Sequence, residues 1–231
     1  MIVDTIRSIY NHQLTLDYMV NEEENKYFDR KSAKIKPNDL APLVSAFANA
    51  EGGTIVIGIS DKDRIIEGID RFPKEKINEF IAAPKNYCKP MPQYKEEFIE
   101  VINDKGDKDH LLLLHIEASV DTIIRTNNDS TYLRIADKTK ELKGEDLLNL
   151  EYVKNTRHFE DEINLDATIA DLDEELLLTY RDKIGAQNLS FENILKARNF
   201  IKIQNGKEYL TNAAVLLFTK NIYQFYPNCR V

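Results

Sequence analysis

Residues 37–69 constrain the fold more than any other stretch, reading as a helix, a double glycine, an unbroken apolar strand and a tight turn. Leu40, Leu43, Val44 and Phe47 fall at the i, i+3, i+4, i+7 spacing of a one-faced helix, which places Phe47 in the core. Asn38 or Asp39 is positioned to cap that helix, and Pro42 lies in its first turn, where no amide is lost. Gly52 stands where a helix stops in the left-handed conformation. Thr54–Ile59 lacks polar alternation and predicts a strand covered on both faces. Ser60–Asp63 is turn chemistry, from which Arg64–Ile69 is expected to return as a partner strand.

The flanks add elements of both kinds. Residues 2–19 carry apolar side chains at roughly helical spacing, an amphipathic lead-in, and residues 27–33 read as a short strand. Residues 73–83 predict a helix with Ile77, Phe80 and Ile81 on one face, ended by the loop of Pro84, Pro90 and Pro92. Two apolar runs, 98–102 and 110–116, flank a polar turn and predict a hairpin, and Thr131–Ile135 is a further strand. Asp171–Leu177 starts a helix with acids at its positive end, 191–197 forms another, and Asn205-Gly206 marks a second hairpin. The expectation is an α+β fold, a mixed sheet of about five or six strands with packed helices, followed by a smaller, mostly helical segment. The domain boundary is expected near residue 140, giving domains 1–140 and 141–231.

Composition enters through charge. The net charge of −8 argues against a polyanionic partner until its distribution is considered. Residues 160–175 hold eight acids and no Lys or Arg, so the remaining residues sum to zero. Lys26, Arg30, Lys31, Lys34 and Lys36 face a single acid, Asp29, within eleven residues. Such a stripe suffices for phosphate contacts within an acidic protein. It is also what a solvated face looks like, and charge alone does not choose. The longest apolar runs are about six residues, against the roughly 20 of a membrane span. Cys88 and Cys229 stand apart without companion His spacing and read as reduced thiols; with no basic leader at Met1–Asp4, the expected compartment is the cytoplasm. His12, His110, His115 and His158 stand singly, and His115, in an apolar strand, reads as a hydrogen-bonded core residue. Tyr27, Phe28 and Tyr132 offer rings for base stacking, although strand aromatics more often belong to the core.

The run from Val44 to Ile59, with Phe47-Ala48-Asn49-Ala50-Glu51-Gly52-Gly53-Thr54 at its centre, resembles the signature of the Schlafen/AlbA-like domain. The resemblance implies a nucleic-acid-binding module, since bacterial members are regarded as DNA-binding transcriptional regulators and animal members include RNA-cleaving proteins. Thr211–Phe218 resembles the start of the ATPase-like domain that often follows in bacterial relatives, so a truncated C-terminal region is expected.

The resemblance also carries a residue pattern. Glu24, Asp29 and Lys31 match a Glu, acid, x-Lys arrangement, and Asp61, after the central strand, takes the position of a third acid. In RNA-cleaving members such carboxylates hold a divalent metal, which here implies Glu24, Asp29 and Asp61 as ligands of Mg²⁺ or Mn²⁺. Lys31 would neutralise charge on a phosphate. Asp29 stands where Glu is usual and Ser60 where many relatives have an acid; Tyr132, Arg134 and Thr139 match a further Tyr-x-Arg, small residue, Thr arrangement, with Ala136 where relatives have Gly. Binding without cleavage is the expected activity, with a metal-dependent endoribonuclease acting on structured RNA such as tRNA as the alternative. The expected partner is nucleic acid, DNA or RNA, with a homodimer allowed.

Overall fold

A computed structural model of the chain describes residues 14–228. Two compact units divide after Thr156. Most of the expected lead-in helix, with His12 and Cys229, lies outside the described residues. Within them Leu16–Asn21 forms α1, capped by Thr15, whose hydroxyl accepts from the Tyr18 amide at 3.2 Å.

The first unit holds two four-stranded sheets rather than one of five or six strands. In one, the order is β1 (Phe28–Lys31), β2 (Gly53–Ile57), β5 (Lys108–Ile116), β4 (Tyr94–Ile102). β1 runs parallel to β2 with Phe28 opposite Thr54, while β5 is antiparallel to both β2 and β4, so the sheet is mixed. The other sheet is ordered β3 (Cys88–Lys89), β6 (Arg125–Thr126), β7 (Thr131–Ile135), β8 (Lys138–Leu142).

β2 is covered on both faces, as its unbroken apolar run predicts. Ile55 and Ile57 pack with Leu112, Leu114 and the helices α2 (Ala41–Asn49) and α3 (Lys74–Tyr87). Val56 packs on the opposite side with Phe28, Leu111, Leu113 and Met19. Leu40, Leu43, Val44 and Phe47 are all buried, and Gly52 stops α2 at φ 81°. Neither Asn38 nor Asp39 caps α2: a 3₁₀ turn at Pro37–Leu40 leads straight into it, and the Asn38 carbonyl takes the Ala41 amide. α3 runs through Pro84 to Tyr87, four residues past its expected end. The amide and packing that proline forfeits cost about 3 kcal/mol, which the burial of Phe80, Ala83 and Pro84 offsets.

Arg64–Ile69 does not return as a strand. Gly58 turns the chain at φ 113°, its carbonyl accepts the Glu67 and Gly68 amides, and only an isolated bridge joins Ile59 to Ile66. This turn is pinned by Asp109, whose buried carboxylate accepts the amides of Ile69, Asp70 and His110 at 2.8–2.9 Å. Gly68 (φ 68°) leaves room for that carboxylate, which a Cβ would meet at 2.0 Å. Burial pushes the Asp109 pKa up, but these amides and the Asn103 side chain outweigh it, and the net shift is downward. A carboxyl with a lowered folded-state pKa contributes stability above its unfolded pKa and loses it as pH falls through the folded value. Asp109→Asn is therefore expected to melt lower at neutral pH, with a shallower loss of stability toward acid, in melting curves across pH.

His115 is fully buried and bridges Thr54 Oγ1 and Glu97 Oε2, each at 2.9 Å, as a core histidine should. Cys88 is a buried free thiol, pushed up to about 12 by burial and so kept protonated. α4 (Glu145–Val153) closes the unit, with Leu147 and Leu150 against Ile123, Leu133 and Leu142.

The second unit is smaller and mainly helical: α5 (Glu174–Lys183), α6 (Phe191–Ala197), the β9 (Ile201–Gln204)–β10 (Lys207–Leu210) hairpin and α7 (Asn212–Phe218). Asp173 caps α5, accepting the Glu175 and Leu176 amides. The rings of Tyr180, Phe200 and Phe218 meet edge-to-face at its core, with centroids 5.1–6.0 Å apart. Among the described residues, no helix is long and apolar enough to cross a membrane.

Candidate functional site

The alternation of β1 sorts its four side chains. Phe28 and Arg30 face the core that contains Met19, while Asp29 and Lys31 point to the other side. Parallel pairing sets Lys31 beside Ile57, and the turn that follows β2 carries Asp61 back over the end of β1. Lys31 Nζ lies 2.5 Å from Asp29 Oδ1, 3.4 Å from Asp61 Oδ2 and 3.7 Å from Glu24 Oε1. The backbone fixes two of these acids, since the Arg30 amide donates to Glu24 at 3.3 Å and the Ser32 amide to Asp61 at 3.2 Å. The four residues matched by pattern thus share one location.

A fifth residue holds the arrangement. Arg134, on β7, meets Asp29 Oδ2 at 2.8 Å, both side chains being almost fully buried. Its guanidinium also donates to the Asn25 and Phe28 carbonyls at 3.1 and 3.3 Å and lies 5.1 Å over the Phe47 ring. Beyond Arg134, the β7–β8 turn keeps the left-handed conformation at Ala136 (φ 54°), without the glycine. The Tyr132-Leu133-Arg134 stretch is visible in the sequence, but nothing local says that its arginine reaches β1.

Burial and then Asp29 raise the Glu24 pKa from its ordinary value, with Lys31 pulling it back only in part. For Lys31, burial alone would lower the pKa, but Asp29, Glu24 and Asp61 outweigh it and raise it. The ammonium therefore stays charged as the shared cation of three acids.

That geometry does not fit Mg²⁺ or Mn²⁺. The carboxylates converge on Lys31, which occupies the place between them, and both Asp29 oxygens are engaged, one by Lys31 and one by Arg134. Among the described residues, no group of three or more His, Cys, Asp or Glu is placed to hold a metal ion. Four or more oxygens around one hard cation would require Lys31 to leave.

The basic stripe divides. Arg30 is 2% exposed, donating to the Val20 carbonyl at 3.0 Å and to the Glu22 carbonyl, so it ties down the N-terminal segment and cannot meet a phosphate as expected. Lys31 is enclosed by its acids. Lys26, Lys34 and Lys36 are exposed; Lys26 pairs with Glu51 at 3.1 Å and Lys34 with Glu67 at 2.6 Å. Phe28 is core, edge-on to Tyr18 at 5.4 Å, while Tyr27 and Tyr132 are half-buried.

A search among curated proteins gives no match. Among solved structures, the DIP2311 protein from Corynebacterium diphtheriae is similar at 18% identity and a TM-score of 0.41, over 84% of this chain and 35% of that one. The chain thus spans about a third of that protein's length. The family model described as "Schlafen, AlbA_2" matches residues 24–143, just over half of the chain. It takes in Glu24, all of β1 and β2, Asp61 and Arg134, and on that match the chain belongs to the Schlafen AlbA_2 family.

Proposed function

We propose that the first unit is a nucleic-acid-binding module that meets backbone phosphates through the exposed lysines around β1, as the DNA-contacting part of a cytoplasmic transcriptional regulator. The observation that carries this is the outward placement of Lys26, Lys34 and Lys36 in a family for which nucleic-acid binding is expected. Their pairing does not count against it. Lys26–Glu51 is exposed on both sides, worth about 0–1 kcal/mol, and exchanges readily for phosphate oxygens with release of counterions, while Lys34 keeps most of its surface open beside the buried Glu67. A homodimer would double the contacts.

The second reading, an endoribonuclease acting on structured RNA such as tRNA, is favoured by the convergence of Glu24, Asp29 and Asp61 on Lys31. Against it stands the lysine-centred geometry, which leaves no common place for a metal ion.

A titration against duplex DNA and tRNA, with and without Mg²⁺ or Mn²⁺, tests both. Affinity is expected to fall with salt at a log–log slope of about −0.7 to −0.9 per phosphate contact. Lys26→Glu with Lys36→Glu should weaken binding to all sequences alike. Binding that is absent or indifferent to salt removes the first reading. Cleavage of tRNA with Mn²⁺ that disappears in Glu24→Ala establishes the second.

A further inference from the structure

From the geometry around Glu67 we infer that Lys34, Arg71 and Lys76 form a preassembled subsite for a backbone phosphate, adjacent to the Lys31 centre. The inference rests on the nucleic-acid reading above and extends it from Lys34 to two cations, Arg71 and Lys76, that lie outside the basic stripe of 26–36.

Glu67 is the organising group. Its side chain is only 9% exposed, yet it holds two cations, Lys34 at 2.6 Å through Oε1 and Arg71 at 3.7 Å through Oε2, and accepts the Ser32 hydroxyl. Burial would raise the Glu67 pKa, but Lys34 and Ser32 outweigh it and keep the carboxylate charged. One negative charge thus positions two positive ones, and the surplus faces outward, since Lys34 is 68% and Arg71 37% exposed.

Lys76 adds a third cation. Its ammonium donates to the Ala33 carbonyl at 2.8 Å, the residue just before Lys34, and lies 4.3 Å from the centre of the Phe72 ring. Arg71 lies over the same ring at 5.1 Å, so Phe72 is flanked by two cations. Three positive groups are in this way fixed by a carboxylate, a carbonyl and an aromatic face before any ligand arrives. Preorganisation of this kind lowers the side-chain entropy lost on binding. The phosphate recognised is that of a nucleic-acid backbone, because Ser32 joins the subsite to the candidate centre. Its hydroxyl meets Glu67 while its amide meets Asp61.

The test measures binding of a labelled short single-stranded RNA and a short DNA duplex by anisotropy, at two salt concentrations, with melting curves for every variant. Lys34→Gln with Arg71→Gln is expected to bind about ten- to hundredfold more weakly, the loss of two charge-assisted contacts, and with a shallower salt dependence. Arg71→Gln alone, which leaves Glu67 paired to Lys34, should show part of that loss. Lys95→Gln, an exposed lysine on β4, corrects for the general change in charge. If wild type binds and the Lys34/Arg71 variants bind no more weakly than Lys95→Gln, the subsite is wrong and the nucleic-acid reading stands on Lys26 and Lys36 alone. If wild type binds neither probe, that reading fails and takes the subsite with it.

Discussion

Arg134→Ala is expected to lower folding stability by about 3–5 kcal/mol, the range for breaking a buried ion pair by removing one partner. Arg134 and Asp29 meet at 2.8 Å with side chains 1% and 3% exposed, so the truncation strands a carboxylate where water cannot reach it. It also leaves the Asn25 and Phe28 carbonyls without their guanidinium donors. Lys31 remains beside Asp29, and its ammonium partly compensates. Denaturant unfolding of wild type, Arg134→Ala, Asp29→Asn and the double variant measures the coupling. Additive losses in that cycle would mean that the two side chains do not depend on each other.

Phe47→Ala carries the second large effect, about 3–5 kcal/mol for a fully buried aromatic side chain. Phe47 lies between α2 and β2, where Ile55, Ile57, Leu112 and Leu114 share one core with it. Its ring also fills the space left by Gly53, where a Cβ would come within 2.6 Å of it. Little can collapse into the void, because the backbone on that side is already at contact distance. An unchanged melting temperature would overturn this account of the core.

Legibility in the sequence followed the range of the forces involved. α2, β2 and the β4–β5 hairpin were readable because periodicity, a helix-stopping glycine and a polar turn are local signals. Arg64–Ile69 reads in the sequence as a returning strand, and it is not one. Turn residues and alternating apolar side chains look alike whether the chain pairs with β2 or folds around a buried aspartate forty residues away, and Asp109 decides between them. Pro84 misled for a similar reason: a proline forbids a helix only when tertiary burial does not outweigh it. The nearness of Glu24, Asp29, Lys31 and Asp61 comes from a family pattern, whereas Arg134 on β7, like Lys76, joins only through packing between distant segments. Arg30 reads as a phosphate contact in the sequence but is buried, because charge in a sequence carries no facing and in a strand the neighbour of an outward residue points inward.

The Arg134 guanidinium that grips Asp29 also rests on the Phe47 ring. Substitutions deep in the hydrophobic interior can therefore displace the buried guanidinium that holds Asp29 beside Lys31. Under the proposed nucleic-acid binding, a mutational screen scored by binding alone would register Phe47 as a contact residue, and repacking the interior for heat tolerance would alter affinity as a by-product. Separating the two roles takes a pair of readouts on each variant, one for folding and one for occupancy.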